Sequence, residues 1–365
     1  MTDFSCYIMQ GMKQIESVQK MNITDKIFRE LKKRLDEGFY LPGSRFPSES
    51  TLAEEFHVNK MTMNKIVSLF VEQKYLIRGV RGAGTRVADN SSRPRGLIAC
   101  LCPLSPYSVC ILRGVYAEAL RHNFAVITES PAVEDLQFRL QMLHRMGVTG
   151  VISAAYGTPV LPEGMALCCV DRDPCAFSEG QKILFINSNN FQGGVQMMEE
   201  IFRRGHREIL IFSVERFRNN PMAPKTPRVT GFHQVMEKHG LSDFEERTFY
   251  SAPSSQEDAK YFLETFLKKF PRTTLIAVDS DNGAALLHTA ALQLDLECPG
   301  QIALTGFGNI SPLPIANVDQ APERQGELAA RYLIEHALTG RLPETSCIQV
   351  ETHLVRIEEI PIILN

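Results

Sequence analysis

Apolar residues recur at helical spacing near the start of the chain. Every fourth position from residue 23 to residue 35 is apolar, and Asn22 before them is suited to cap a helix N-terminus. The stripe consists of Ile23, Ile27, Leu31 and Leu35. This spacing predicts one amphipathic helix with a single buried face, ending near Gly38.

Two further helix starts follow. Ser48, after Pro47, is suited to accept hydrogen bonds from exposed amides, and Glu49 is favourable in a first turn. Asn59 is the next cap, and it precedes a helical pattern of apolar residues, Met63, Ile66, Val67, Phe70 and Val71. The opposite face of this third helix carries donors and cations that reach phosphates and base edges, namely Lys60, Thr62, Asn64, Lys65 and Ser68.

A hairpin is predicted next. Residues 75–78 and 85–87 resemble strands, and the segment between them contains glycines that supply tip conformations, Gly79, Gly82 and Gly84. Arg78, Arg81 and Arg86 add positive charge. Short helices with a tight break and then a basic hairpin favour a DNA-binding winged helix. The alternative is a small helical domain with an ordinary basic face.

From residue 96 onward, short apolar strands alternate with helices. This pattern predicts parallel sheets with crossover helices, and the number of strands predicts two lobes. Strands are expected at residues 97–102, 124–128, 151–153, 167–170, 183–186, 209–213, 275–279 and 302–306. Helices are expected at residues 111–122, 192–204, 256–270 and 284–293.

Charge divides the chain in the same place. Residues 1–95 hold 16 Lys+Arg against 11 Asp+Glu, a net charge of +5, whereas the remaining 270 residues hold 23 against 31, a net charge of −8. A basic head on an acidic body confines nucleic acid to the head. The sequence has no long apolar run and no signal-peptide core, so we expect a cytoplasmic protein without a membrane partner.

The nine cysteines are odd in number and contain no CxxC pair. Most lie in apolar strand-like runs, so buried thiols in a reducing compartment are favoured, with no metal and no cofactor. A redox sensor that uses Cys100, Cys102 and Cys168 stays open as an alternative, since these strands could lie side by side.

Residues 23–87 resemble the winged-helix domain of the GntR family of bacterial transcription regulators. Three positions depart from the family pattern: Asn59 replaces the usual serine, and Lys60 and Asn64 replace arginines. Lysine lacks the guanidinium fork, so base readout at residue 60 is expected to differ. The residues assigned to DNA are Arg45, Ser48, Glu49, Asn59, Lys60, Thr62, Asn64, Lys65, Arg81, Gly82, Gly84 and Thr85.

Residues 96–360 resemble the effector domain of LacI/GalR-type regulators, which share the periplasmic sugar-binding fold. The ordered motifs that carry this resemblance begin at Asn189, Arg204, Arg228, Asp279, Pro299, Asn317 and His353. Together the two resemblances imply an arabinose-repressor-type architecture. The fold class is therefore an N-terminal winged helix plus a two-lobed α/β body with parallel sheets.

The implied domains are an N-terminal extension (1–21), a winged helix (22–88), a linker (89–95) and an effector domain (96–365). Lobe 1 is expected at residues 96–187 and 318–342, and lobe 2 at residues 188–317 and 343–365. The chain is expected to cross between lobes near residues 187–190 and again near 316–319.

The resemblance also implies an effector site in the cleft at the carboxyl ends of the strands. Its expected residues are Arg228, Asp281, Asp171, Arg172, Ser105, Tyr107 and Asn309. Arg228 also fits a surface arginine at a helix start, and Asp281 also fits a helix cap. Gly308-Asn309 replaces an acidic residue common in the family, and Arg216, Arg218 and Lys225 are expected to make one side of the cleft basic.

The sequence thus predicts a ligand-responsive repressor of carbohydrate-metabolism genes. A homodimer would bind palindromic double-stranded operator DNA and be released by a sugar or related small effector. One alternative is a sugar- or nucleotide-processing enzyme tethered to DNA, although the sequence has no P-loop, GxSxG or HExxH motif. The other is the redox-sensing regulator.

Overall fold

The computed structural model describes residues 23–80, 84–89, 94–154, 159–171, 182–214, 226–250 and 255–363. The chain divides into two compact units, residues 1–95 and 96–365. We call them the head and the body.

The described residues of the head form three helices and a two-stranded hairpin, which confirms the predicted winged-helix fold. The helices are α1 (Ile23–Asp36), α2 (Glu49–Glu55) and α3 (Lys60–Glu72), and antiparallel strands β1 (Leu76–Arg78) and β2 (Thr85–Val87) form the wing. Ser48 caps α2, and Asn59 caps α3. The predicted apolar stripes meet in one core, whose fully buried members include Leu31, Leu52, Met63, Ile66 and Phe70.

The first lobe of the body is built on a six-stranded parallel sheet in the order β13-β7-β6-β5-β3-β4. The strands are β3 (Gly96–Leu101), β4 (Phe124–Glu129), β5 (Val148–Ala154), β6 (Ala166–Val170), β7 (Lys182–Ser188) and β13 (Cys347–Val350). The helices are α4 (Pro106–Arg121), α5 (Leu136–Arg145) and α10 (Pro322–Thr339). Central strands β5 and β6 are buried almost throughout, as expected for a sheet covered on both faces.

The second lobe has a six-stranded sheet in the order β14-β12-β11-β10-β8-β9, in which only β14 is antiparallel to its neighbour. Its strands are β8 (Ile209–Ser213), β9 (Thr248–Tyr250), β10 (Leu275–Val278), β11 (Ala303–Phe307), β12 (Ala316–Asp319) and β14 (His353–Val355). Its helices are α6 (Asn190–Arg203), α7 (Pro227–Lys238), α8 (Gln256–Lys269) and α9 (Asp281–Gln293). The predicted two-lobed parallel α/β body is confirmed.

Within the described residues of the body, the chain crosses between the lobes three times, and two of these crossings differ in place from the expectation. The first falls between β7 and α6, at residues 188–190, as predicted. The second lies beyond residue 319, because all of β12 belongs to the lobe 2 sheet. The third lies between β13 and β14, since Cys347–Val350 pairs with β7 of lobe 1. The assignment of residues 318–319 to lobe 1 and 343–350 to lobe 2 was therefore wrong.

Candidate DNA interface and effector cleft

The N-terminal half of α3 presents cations to solvent. Lys60 and Lys65 are exposed, and neither forms an ion pair with any residue that the structure describes. Asn59 orients this turn, because its side-chain oxygen accepts a hydrogen bond from the Thr62 amide at 2.7 Å. Unpaired cations on an exposed helix face can neutralise phosphates or reach guanine edges.

A hydrogen-bond network behind this face joins α2, α3 and the wing. The Glu49 carboxylate accepts from the Asn64 side-chain amide at 3.0 Å and from Arg78 of β1 at 3.3 Å. Arg78 also donates to the Ser68 hydroxyl at 2.9 Å. Glu49 and Asn64, both assigned to DNA from the sequence, are thus bonded to each other. This arrangement fixes the orientation of the helix relative to the wing.

Arg45 lies against the wing. The segment before α2 pairs with β2, where the Phe46 amide donates to the Thr85 carbonyl at 2.8 Å. A Cβ atom on Gly84 would lie 3.1 Å from Arg45 Nε, and Gly84 has a φ of +73°, so this position favours glycine. The guanidinium therefore lies directly on the wing backbone. The predicted residues Arg81 and Gly82 fall outside the described residues.

In the body, Arg228 at the start of α7 lies beside the end of β10 and the first crossing. Its Nη1 donates to the Asp279 carbonyl at 2.8 Å, and its Nε donates to the Asn190 side-chain oxygen at 3.3 Å. The guanidinium carbon lies 4.5 Å from the centroid of the Phe307 ring. The position of Arg228 on α7 depends on close packing against α6. Gly194 of α6 permits this packing, because a Cβ atom there would clash with the Arg228 carbonyl oxygen.

Asp171 faces the same junction from lobe 1. It follows β6 with a φ of +53° and has an exposed side chain, and the Gln320 amide lies 3.5 Å from its carboxylate. Gln320 also donates to the Asn190 oxygen at 2.9 Å. A chain of polar contacts therefore leads from Asp171 through Gln320 and Asn190 to Arg228, so the structure brings these two predicted residues together.

Tyr107 joins this junction from the start of α4. Its hydroxyl accepts from the Gln325 side-chain amide at 3.1 Å, and the same nitrogen donates to Ser188 at 2.7 Å and to the Gln320 carbonyl at 2.9 Å. Burial and the negative charge of Asp171 raise the pKa of Tyr107 well above its usual range. The phenol is therefore neutral and available as a hydrogen-bonding group.

Three other predicted residues are engaged within the protein. The buried Asp281 carboxylate accepts from the Ile310 and Ser311 amides and from the Asn317 side chain. Asn309 donates to the Asp319 carboxylate at 3.1 Å. Ser105 caps α4. Arg172, with Arg216, Arg218 and Lys225, lies outside the described residues.

Asp279 holds the backbone carbonyl that accepts the hydrogen bond from Arg228. The Ser213 hydroxyl donates to its carboxylate at 2.6 Å, and the Val214 amide does so at 3.0 Å. Burial raises the pKa of Asp279, while these donors and the charge of Arg228 act in the opposite direction. The buried carboxyl thereby fixes the strand end whose carbonyl accepts from Arg228.

Sequence reasoning did not assign four polar residues of this junction: Ser188, Asn190, Gln320 and Gln325. The first three lie directly at or after the ends of buried strands, where ligand-facing groups of open parallel sheets occur, and that signal was present in the sequence. Gln325 lies within a helix, and no local pattern distinguishes it from an exposed helical glutamine.

The structure shows no disulfide bond among the cysteines that it describes. Cys100 and Cys168 lie on β3 and β6, with β5 between them, and both are fully buried. A hydrogen bond with Cys102, together with burial, raises the pKa of Cys100, and burial raises that of Cys168. The same hydrogen bond lowers the pKa of Cys102, but all three side chains are buried, and enclosed thiols react slowly, which argues against the redox alternative.

Two negative findings concern only the described residues. They contain no cluster of three His, Cys, Asp or Glu side chains suited to hold a metal ion. None of their helices is long and apolar enough to span a bilayer.

Two family models match the chain. Residues 23–87 match bacterial regulatory proteins of the gntR family, and residues 198–356 match the periplasmic binding protein-like domain. The first match covers the winged helix, and the second covers most of lobe 2 together with the later crossings.

Curated relatives include transcription regulators. The chain is 21% identical over 336 residues to the arabinose metabolism transcriptional repressor of Halalkalibacterium halodurans, covering 84% of this chain and 87% of that protein. It is 28% identical over 182 residues to the repressor PurR of Klebsiella pneumoniae, covering 46% of this chain and 49% of that protein.

Solved structures share the fold. A CelR–cellobiose complex superposes with a TM-score of 0.56 at 18% identity, covering 85% of this chain and 98% of that one. A LacI family regulator from Enterococcus faecium with bound ribose gives 0.57 at 17% identity, covering 71% and 96%. Identities this low establish the fold alone.

The head matches a family of bacterial regulatory proteins, and the body matches a periplasmic binding protein-like domain. The chain therefore joins a GntR-type winged helix to a periplasmic-binding-protein-like domain.

Proposed function

We propose that this protein is a repressor whose operator affinity falls when a sugar or related small polar molecule binds the body. The observation that carries the proposal is the junction of Arg228, Asp171 and Tyr107, which come from both lobes and are linked through Gln320 at a crossing. Charged and phenolic groups there can make directional hydrogen bonds with hydroxyls.

The relatives support this ligand class. One curated relative is named as an arabinose metabolism repressor, and two of the similar solved structures contain cellobiose or ribose. The acidic residue common in the family is replaced by Gly308-Asn309, and Asn309 is hydrogen-bonded to Asp319. We therefore propose Arg228, Asp171 and Tyr107 as ligand contacts, Arg172 as a further one, and Asp281, Asn309 and Ser105 as residues that position the cleft loops.

The coupling to DNA follows from two-state thermodynamics. A ligand that bridges the lobes favours the closed body, and operator affinity changes only as far as the ligand prefers one arrangement. Lys60, Lys65 and Arg45 would contact operator DNA, with Ser48, Asn59, Thr62, Gly84 and Thr85 orienting the helix and wing. Arg81 and Gly82 would complete the wing contacts.

A homodimer is part of the proposal, because a twofold protein matches a palindromic operator. The exposed face of α4 supports it. Val109, Tyr116 and Leu120 lie on one stripe of this helix and are 55%, 47% and 80% exposed. Apolar side chains aligned in this way suit burial against a second copy. The regulator would act in the cytoplasm, on chromosomal DNA.

A binding role is favoured over catalysis. An enzyme could use two carboxylates here, Asp171 and Asp281. Asp171 is exposed, whereas Asp281 is buried and accepts hydrogen bonds from three donors of the protein. We therefore propose a protein without enzymatic activity. Incubation with the bound sugar should leave that sugar unchanged.

The direct test combines two measurements on the full chain. A thermal-shift screen against arabinose, ribose, cellobiose and their phosphates should find a ligand, since a hundredfold excess over Kd stabilises by about 2.7 kcal/mol. The same ligand should then weaken operator binding. Tighter binding on addition of the ligand would instead make the protein a co-repressor-dependent regulator.

A further inference from the structure

Several side chains on the exposed, cation-bearing face of α3 already form hydrogen bonds within the head, so few remain to contact bases. The Asn64 amide nitrogen donates to Glu49, and the Ser68 hydroxyl accepts from Arg78. Bidentate adenine readout uses the oxygen and one N–H of an asparagine side chain, and the hydrogen bond to Glu49 already occupies one of the two N–H groups of Asn64 and restrains its orientation. The exposed residues of the first two turns are then Lys60, Met61 and Lys65.

Met61 is conspicuous among these three because it is apolar and 73% exposed. It lies one residue into the helix after Lys60, on the side opposite Met63, which is fully buried. Met61 is absent from the core cluster formed by the head's described residues. The helix therefore uses one methionine for its core and presents the other on the face that carries the free lysines.

The major groove of B-DNA offers one apolar group, the C5 methyl of thymine. We propose that Met61 determines operator specificity by packing on a thymine methyl, next to the base pair or phosphate that Lys60 contacts. This inference rests on the proposed operator binding and extends it to one base in each half-site. Methionine is unbranched and polarisable, so it can adapt its side chain to a methyl group at the groove floor.

The test uses DNA selected by the protein itself. The full chain is used to enrich a binding sequence from random duplexes, and each thymine of that sequence is then replaced by deoxyuridine, which lacks only the methyl. One thymine per half-site should prove sensitive. Loss of one buried methyl corresponds to about fourfold weaker binding, or about 15-fold when both half-sites are changed.

Variants assign that effect to the side chain. Met61→Ala should bind the thymine and deoxyuridine duplexes equally, and Met61→Leu should keep most of the difference. Leu69→Ala removes another exposed apolar side chain from the same helix, 39% exposed, and should behave as the wild type. Circular dichroism and melting temperature confirm that each variant is folded.

Several outcomes would overturn the inference. If no thymine is sensitive in the wild type, or if Met61→Ala keeps the full sensitivity, Met61 does not read a methyl. If the full chain enriches no sequence at all, operator binding itself fails, and the inference fails with it. The two failures are distinguishable, because the first leaves sequence-specific binding intact.

Discussion

The guanidinium of Arg228 lies on the ring of Phe307, with 4.5 Å between its central carbon and the ring centroid. The stacked group also donates to the Asp279 carbonyl at 2.8 Å and to Asn190 at 3.3 Å. A guanidinium has five donor hydrogens, so further donors remain after these two bonds. An arginine fixed by a ring and two acceptors is preorganised to bind a ligand with little loss of side-chain entropy.

Arg228→Ala should therefore abolish stabilisation by the effector while operator affinity without effector stays within twofold of wild type. Loss of two hydrogen bonds should also lower the free energy of unfolding by about 1–3 kcal/mol. Thermal shift and fluorescence anisotropy measure the two effects. Arg324→Ala, a control on α10 with 46% side-chain exposure, should keep the full effector response. An unchanged shift in Arg228→Ala would remove Arg228 from the site.

Gln325 links Tyr107 to the first two crossings through hydrogen bonds. Its side-chain amide nitrogen donates to the Tyr107 hydroxyl, to the Ser188 hydroxyl at the first crossing and to the Gln320 carbonyl at the second. Allosteric coupling is commonly about 5–150-fold in affinity. Gln325→Leu should reduce the ratio of operator Kd with and without effector at least fivefold, with effector Kd changed less than threefold. Operator titrations at saturating effector measure this ratio. Gln349→Leu, an exposed position on β13, is the control. A coupling ratio equal to wild type would show that Gln325 is only structural.

Local patterns determined much of the fold from the sequence alone. Ser48 and Asn59 were recognised as caps because their side-chain chemistry is local, and the Met63–Phe70 stripe indicated the buried face of α3. The third crossing was misplaced because the local sequence of Cys347–Val350 does not indicate which sheet this segment joins. That choice depends on long-range pairing with β7.

The site was predictable only in part, for the same reason. Arg228, Asp171 and Tyr107 were expected from the resemblance to LacI/GalR-type regulators, and the structure places them at one junction. That Glu49 would bond to Asn64 and Arg78 could not be read from the sequence, because those residues are 15 and 29 positions away. Gln325 was missed because its role depends on residues more than 130 positions earlier in the chain.

Lys60→Ala should weaken operator binding by removing a phosphate or base contact. If Lys60 binds phosphate, the slope of log K against log salt should fall by about 0.9 for each phosphate that is no longer neutralised. Anisotropy titrations at several salt concentrations give both quantities, and effector stabilisation should be unchanged. Lys33→Ala on α1, with 66% side-chain exposure, should leave both the affinity and the slope unaltered. Equal salt slopes in wild type and Lys60→Ala would exclude a phosphate contact.

A charged residue on the α4 stripe should separate the proposed dimer. Leu120→Glu combined with Val109→Glu places two carboxylates in a surface that would be buried against a second copy. Sedimentation equilibrium should show a folded monomer, and affinity for a palindromic operator should fall at least tenfold. Ile362→Glu, also at an exposed apolar residue (67%), should stay dimeric. Persistence of a dimer in the double variant would place the interface elsewhere.

Glu118 should make the body sensitive to acid. Its side chain is 3% exposed and binds Arg331 at 3.0 Å and also Arg121. Burial raises the pKa of Glu118, but the arginine hydrogen bonds outweigh burial and lower it overall. The resulting stability is present above about pH 4.3, the ordinary pKa of glutamate, and is lost as pH falls through the lower folded pKa.

Chemical denaturation at about pH 7, 4 and 3 checks this expectation, because the loss falls below the ordinary pKa of glutamate. Glu118→Gln should be less stable than wild type at pH 7, and the difference should shrink as pH falls from about 4 to 3. Glu134→Gln, at an exposed position, should parallel wild type throughout. A constant difference between Glu118→Gln and wild type at all three values would rule out the proposed contribution of the carboxylate.

Under the proposed function, a small molecule bound to the body controls DNA binding by the head of the same chain. The decisive experiment is an anisotropy titration of the selected operator at fixed salt, with and without the sugar found by thermal shift. We expect an operator Kd at least fivefold higher with the sugar in wild type and no change in Arg228→Ala. An operator Kd in wild type that is the same with and without a saturating, stabilising sugar would refute this coupling.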